Sequence, residues 1–363
     1  MWANSHHEDV AKAQAEATGV DIEAGERAVD RMKAHVAATR RPEVLGGLGG
    51  FAGFFDASAL GKYRHPVLAT STDGVGTKVA IAQAMDVHDT IGFDLVGMLV
   101  DDLVVVGAEP WFVTDYIACG RVDPNRIANV VKGIAAACAK AGCSLLGGET
   151  AEHPGLLAPE EYDVAGATTG AVEYDEILGP QRVQEGDALL AVASSGLHSN
   201  GYSLVRKVLL ADAGWTLDRH VDELGRTLGE ELLEPTTVYA SDLLALVRQV
   251  EVHAMSHVTG GGLANNLARV LPDDLVATVD RSTWTPAPIF TLVQQVGDVS
   301  QPDIEATLNM GVGMVVVMPE ANISEAIEVL AGRGLSAWQC GHVSRRGGPD
   351  EPGAVLVSSH SRS

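Results

Sequence analysis

The stretch P-V-L-A-T-S-T-D-G-V-G-T-K-V-A-I-A, residues 66–82, decides how the rest of the chain reads. Residues 67–70 form a short β-leaning run. It breaks at Thr72-Asp73-Gly74-Val75-Gly76-Thr77-Lys78, and an apolar helical pattern resumes at Val79. Gly74 and Gly76 permit close backbone approach to a ligand or a positive φ. Asp73 offers a hard oxygen suited to Mg2+, and Lys78 a cation on a flexible stem. A strand, glycine loop and helix in this order present backbone N–H groups to a phosphate. The pattern is not the P-loop, whose G-K-[ST] order is absent. Taken alone, the stretch reads equally well as a tight strand-to-helix turn.

Working outward, Val20, Ala24, Ala28, Val29, Met32 and Val36 recur at helical spacing. Gly46-Gly47-Leu48-Gly49-Gly50-Phe51 follows, too rich in glycine for regular structure. It is either a linker or a lid whose backbone closes over a ligand. Residues 90–106 read as a helix with the stripe Ile91, Leu95, Met98 and Val105 or Val106, and Asp102 falls on that face. A buried carboxylate is costly unless paired or bound to metal. No basic residue lies one turn away, which favours a metal.

Residues 111–118 read as a strand, and Asp123-Pro124 opens a helix that Gly142 closes. Residues 143–146 form a buried strand running into Gly147-Gly148-Glu149-Thr150, a second carboxylate reached through glycines. Residues 164–172 make another strand. The charged stretch 173–187 marks a domain boundary. Beyond it the grammar repeats. The strand 188–193 runs into Ser194-Ser195-Gly196-Leu197-His198-Ser199-Asn200-Gly201, and the strand 252–257 into Thr259-Gly260-Gly261-Gly262, each before a helix. Both turns suit an anion.

The chain has 363 residues, enough for two domains with their own cores. Its net charge of −23 argues against nucleic acid, where affinity comes from Lys and Arg on phosphates. Cys119, Cys138, Cys143 and Cys340 include no C-x-x-C pair, so reduced thiols are expected. Residues 95–106 are interrupted by Asp101 and Asp102 and too short to span a bilayer. The first residues lack a basic region followed by an apolar core. A soluble, cytoplasmic protein is expected.

Five motifs in order, G-G-L-G-G-F, T-D-G-V-G-T-K, G-G-E-T-A-E, S-S-G-L-H-S-N-G-Y-S-L and H-V-T-G-G-G-L, resemble the phosphoribosylformylglycinamidine cyclo-ligase family, also called aminoimidazole ribonucleotide synthetase. The resemblance runs from about Gly19 to about Val343. It implies an α/β (α+β) protein of two domains, in the ATP-dependent superfamily that holds the selenide and thiamine-monophosphate kinases. Residues 1–50 would be a mobile arm and lid, 51–175 an ATP- and Mg2+-binding domain whose mixed sheet packs across a homodimer interface, 186–345 an α/β sandwich binding the phosphoribosyl substrate, and 346–363 a tail. The implied reaction converts formylglycinamidine ribonucleotide and ATP to aminoimidazole ribonucleotide, ADP and phosphate, in de novo purine synthesis. A small-molecule kinase of the same superfamily and a non-catalytic nucleotide-binding scaffold are the alternatives.

Carried over position by position, the resemblance implies Asp73, Asp102 and Glu149 as Mg2+–nucleotide carboxylates with Asp101 beside them. A monovalent cation is a further requirement open to the family. Lys78 would pair with phosphate and His198 would handle a proton. Gly74, Gly76, Thr77, Gly148 and the lid glycines Gly46, Gly47, Gly49 and Gly50 would hold ATP. Ser195, Ser199, Asn200, His257, Thr259, Gly260, Gly261 and Gly262 would hold substrate phosphate. The chain departs from many relatives at Asp101, where Asn is common, at Thr237, where Arg is common, and at Leu308, where an aromatic residue is common.

Overall fold

The computed structural model describes residues 21–47, 50, 52–348 and 350–360. The arm expected over residues 1–20 and the lid residue Gly49 lie outside the described residues. Helix α1 (Ile22–Ala38) is capped by Asp21, whose side chain accepts from the Ala24 N–H. Its buried Ala24, Ala28 and Val36 lie on the side that meets a later helix, Pro124–Ala141.

A first sheet follows from β1 (Pro66–Gly74), β2 (Glu109–Cys119), β3 (Ser144–Glu152) and β4 (Tyr162–Glu173), in the spatial order β1-β4-β2-β3. Only the β2–β3 pair is parallel. Helix α2 (Ile91–Val104) lies on one face, where Leu99 would meet a Cβ added at Gly166 at 2.9 Å. The opposite face leaves Leu68 60% and Tyr116 43% exposed. Helix α3 (Pro124–Ala141) is capped by Asp123 and closed by Gly142 at φ 77°, as the sequence predicts.

The second sheet combines β5 (Asp187–Ala193), β6 (Ala254–His257), β7 (Leu275–Asp280), β8 (Val312–Pro319), β9 (Ala337–Arg345) and β10 (Ala354–Val357), ordered β6-β8-β5-β9-β7-β10. The strand at 354–357 puts part of the expected tail inside the sheet. Both faces of the central strands are covered. Leu190, Val192 and Val316 pack with Leu243, Leu246 and Phe290, whereas Leu189, Ala191 and Val315 pack with Leu263 and Leu267. The first of these clusters continues into Leu95, Leu99 and Val100 of α2. Helix α2 is therefore buried on nearly all sides, and burying each such side chain contributes about 1.5–3 kcal/mol.

Two expected breaks are absent. β1 continues through Asp73 to Gly74, and β3 continues through Gly147, Gly148 and Glu149. Ladder hydrogen bonds to β4 and β2 hold these glycines extended. All four cysteines are free and buried. No helix among the described residues is long and apolar enough to cross a membrane.

Candidate functional site

The junction between the two sheets holds the sequence-predicted residues in two sets, one locked inside and one facing solvent. Lys78 belongs to the first. Its side chain is fully buried, and Nζ donates to Asp94 Oδ1 at 2.7 Å, to the His198 carbonyl at 2.9 Å and to the Glu234 carbonyl at 2.6 Å. All three ammonium hydrogens are used. Burial pulls the Lys78 pKa down and the Asp94 pKa up, and their mutual attraction opposes both. The expected Lys78–phosphate contact is thereby corrected, since the ammonium holds the domains together and does not face a ligand.

Asp94 also accepts from Thr236 N at 3.1 Å and Thr236 Oγ1 at 2.6 Å, while its Oδ2 has no partner. Residues 234–239 thus act as a strap between domains. The Glu234 carbonyl takes Lys78, the Pro235 carbonyl takes Ser195 Oγ at 2.6 Å, and Tyr239 N donates to both oxygens of Asp101 at 3.1 and 3.2 Å. Asp101 is fully buried beside helix α4 (Ala240–Val247), whose N-cap is Tyr239. Burial pushes its carboxyl up to about 7, against the pull of His257 and the Tyr239 N–H. Asp101 is corrected from metal ligand to helix-terminal anchor. The sequence marks this strap only through the departure at Thr237, and its contacts, made by the Glu234 and Pro235 carbonyls, Thr236 and the Tyr239 N–H, are not legible from it.

Two substrate-side expectations, and the catalytic one for His198, change for the same reason. Ser199 Oγ donates to the Val75 carbonyl at 2.7 Å, Ser195 Oγ to Pro235, and His198 Nε2 accepts from Ser195 N at 3.2 Å. These groups bind the two glycine loops to one another and to the strap. His198 is buried at φ 59°, and burial, with the nearby positive charges of His257 and Lys78, drives its pKa well down. A neutral imidazole with Nε2 accepting carries its hydrogen on Nδ1, which has no partner. The expected proton-handling role of His198 is not supported by this geometry. Leu308 packs against Gly201, where an added Cβ would lie 2.2 Å from its Cδ2.

The second set opens to solvent. Asp102, whose side chain is 43% exposed, accepts from His257 Nδ1 at 3.0 Å. The sequence reading had Asp102 on the buried face of α2 and no partner for it. In fact Asp101 points inward, because a helix buried on both sides has no single apolar stripe, and the partner arrives from β6. Burial lowers the His257 pKa, but Asp102, Asp101 and Asp73 around it outweigh that and raise it overall. His257 Nε2 is buried without a partner.

Asp73 is exposed, with Oδ1 taking the Gly74 N–H at 2.7 Å. Asn200 approaches Gly260, with Oδ1 3.5 Å from an added Cβ there, while its Nδ2 lies 3.4 Å from Met98 Sδ. In the Thr259–Gly262 turn, Asn266 Nδ2 gathers the carbonyls of Thr259, Gly260 and Gly262 at 3.3, 3.3 and 2.7 Å. The turn's oxygens are satisfied from inside. Gly262 must be glycine, since its φ is 74° and an added Cβ would fall 1.7 Å from the Glu305 carbonyl.

Glu149 stands apart. Asp73 pairs with Gly166, Gly166 with Asp115, and Asp115 with Gly148, the neighbour of Glu149. Three strand spacings put Asp73 and Glu149 about 14 Å apart. Within one chain Glu149 cannot share an ion with Asp73 and Asp102, which corrects the single-ion expectation. Among the described residues no group of three or more His, Cys, Asp or Glu side chains has the arrangement of a metal cage. Mg2+ commonly uses one or two carboxylates with waters and phosphate oxygens, and the open pair Asp73 and Asp102 fits that pattern. Of the described lid glycines, Gly50 lies beside Glu149. Gly50 lines a cavity of about 260 Å³ with Gly147, Gly148 and Glu149, and Gly46 and Gly47 line another with Leu145 and Leu146. Asp115, which sequence reading missed inside an apolar strand, faces the first cavity, and burial pushes its carboxyl up to about 7.

Residues 56–172 match the AIR synthase related protein N-terminal domain, and residues 184–351 the C-terminal domain of the same description. A phosphoribosylformylglycinamidine cyclo-ligase from Bacillus cytotoxicus is 51% identical over 330 residues, covering 91% of this chain and 95% of that protein. One of the same name from a Geobacillus species is 50% identical over 338 residues, covering 93% and 97%. Among solved structures, the thiamine-monophosphate kinase of Stenotrophomonas maltophilia superposes with a TM-score of 0.65 at 18% identity, covering 92% of this chain and 97% of that one. The hydrogenase maturation protein HypE in complex with ATP gives 0.63 at 20%, covering 92% and 90%. These two share the fold.

Proposed function

The chain belongs to the phosphoribosylformylglycinamidine cyclo-ligase family, and on that footing we propose that it closes the imidazole ring of aminoimidazole ribonucleotide at the junction between its two domains. The observation that carries the reading is the contact of Asp102 in the first domain with His257 in the second at 3.0 Å, where β6 runs into the glycine turn at Thr259–Gly262, with Asp73 adding to the negative charge around His257. ATP is the phosphoryl donor. Its γ-phosphoryl group passes to the formyl oxygen of formylglycinamidine ribonucleotide, giving an iminophosphate and ADP. A nitrogen of the same molecule then attacks that carbon, loses a proton and expels phosphate. Because the nucleophile is already tethered, the protein's share is positioning and charge neutralisation.

Each open residue suits part of that work. Asp73 and Asp102 would hold the Mg2+ that accompanies ATP, and the ion would draw charge from the phosphoryl oxygens. Asp102 fixes the His257 ring through Nδ1, and the surrounding carboxylates favour the imidazolium, whose Nε2–H would donate toward a developing oxyanion. Asn200 and the amides of Gly260 and Gly261 offer uncharged donors to phosphate. Lys78, Asp94, Ser195, Ser199 and His198 act indirectly, by fixing the distance between the loops. The open sheet face, with Leu68, Thr70, Thr72 and Tyr116, suits a homodimer, since a second copy would cover the exposed apolar groups. No observation favours a kinase or a scaffold. The test is ADP release on adding formylglycinamidine ribonucleotide to protein, ATP and Mg2+. ATP turnover only with another acceptor would overturn the reading.

A further inference from the structure

Beyond Asp73, the turn at Gly76 and Thr77 opens onto a groove of about 370 Å³ that Arg206 of the second domain also lines. Arg206 begins the π-helical segment Arg206–Asp212, half-buried, three residues after Ser203. Among the described residues it forms no ion pair and no side-chain hydrogen bond. Arg206 is the sole basic residue lining the groove among the described residues; the adjacent Lys207 pairs with Asp212, and Arg126 donates to the Glu160 carbonyl. Two exposed carboxylates, Glu161 and Asp163, line the groove as well and are charged, so an anion there depends on Arg206. Glu161 accepts from Ala158 N and Asp163 from Val164 N, both at 2.9 Å. The hydroxyls of Thr77 and Ser203 meet across the domain junction at 3.2 Å. One of them donates to the other, so one hydroxyl hydrogen stays free. Gly76, at φ 71°, has nothing within 4 Å of a would-be Cβ, so bare backbone faces the groove.

A chain with 48 acidic and 25 basic residues repels anions at long range and needs a local cation to seat one. We propose that Arg206, with the Thr77 and Ser203 hydroxyls, binds a phosphate group of one reactant. The inference rests on the cyclo-ligase reading, whose two reactants are both phosphate esters. A guanidinium offers a planar fork to phosphate oxygens, and the hydroxyls supply a third donor. Since Thr77 lies in one domain and Ser203 and Arg206 in the other, the bound phosphate also ties the domains together.

The test compares full-length wild type with Arg206→Ala, Arg206→Lys and Thr77→Val, measuring KM separately for formylglycinamidine ribonucleotide and for ATP. Arg206→Ala should raise one KM by about 10- to 100-fold, the loss of a charge-assisted phosphate contact. Arg206→Lys should recover part of it, and inorganic phosphate should inhibit the alanine variant less. A shift confined to the ribonucleotide assigns the ribose phosphate; one confined to ATP assigns the nucleotide. Both KM values staying within about twofold of wild type would overturn the proposal. If Arg206→Ala fails to fold, Thr77→Val carries the same comparison. If wild type releases no ADP with the ribonucleotide, the cyclo-ligase reading fails instead, and inorganic phosphate binding to wild type and Arg206→Ala, read by 31P NMR, still decides the site.

Discussion

Replacing Lys78 with methionine separates a structural ammonium from a phosphate-binding one. Methionine keeps most of the stem volume, so packing changes little. The charge is lost, and Asp94 is left fully buried with only Thr236 N and Oγ1 on Oδ1 and nothing on Oδ2. The carbonyls of His198 and Glu234 lose their donor as well. Breaking a buried ion pair from one side costs about 3–5 kcal/mol, a large share of a stability of about 5–15 kcal/mol. The loss must depend on pH. Burial raises the Asp94 pKa, and without Lys78 nothing positive restrains it. A folded pKa above the unfolded one means the penalty is absent below about pH 4 and grows by about 1.4 kcal/mol per unit as pH rises toward the folded value. Urea denaturation at pH 5, 6.5 and 8 should therefore show a gap from wild type that widens with pH. Adding Asp94→Asn should narrow it at pH 8. A Lys78→Met variant that unfolds at the wild-type midpoint at every pH yet loses turnover would refute this reasoning and return Lys78 to the phosphate.

Asp102→Asn should lower kcat by about 100-fold or more through weaker metal positioning, while the half-exposed site limits the stability change to about 1 kcal/mol; an unchanged kcat would count against its place beside the metal. Leu68→Asp should convert a dimer to monomer in sedimentation velocity, and a wild-type protein already monomeric would remove the basis for the open-face assignment. Asp115 is raised to about 7, so the stability it allows is full below about pH 4 and declines as pH approaches 7. Asp115→Asn should flatten that decline by about 2–4 kcal/mol between pH 4 and 8, and parallel stability–pH curves would show that Asp115 does not titrate as described.

The sequence carried most local structure because the signals were local. Asp123-Pro124 and Gly142 bounded a helix through capping and a left-handed end, and apolar runs at 188–193 and 314–318 found their strands. Glycine misled where a ladder was the deciding force, at Gly74 and Gly147. The site was legible as a set of loops but not as a set of roles. Asp101 and Asp102 differ by one position and exchanged places, since a helix enclosed on both sides offers no amphipathic stripe to orient it. His257 and Asp102 lie 155 residues apart, beyond any spacing rule.

By itself, then, the sequence determined the family, the two sheets and the order of the five glycine-bearing motifs, because motif order and hydrophobic period are properties of neighbouring residues. Tertiary structure alone decided which polar groups in those loops face a ligand. A serine, a lysine or a histidine is free for chemistry only if the fold leaves its hydrogen-bonding atoms unclaimed. In this chain the strap at 234–239 and the carbonyls of Val75 and His198 claim Ser195, Ser199 and Lys78, leaving, among the described residues, Asp73, Asp102 and Asn200 each with one oxygen unclaimed and Arg206 open.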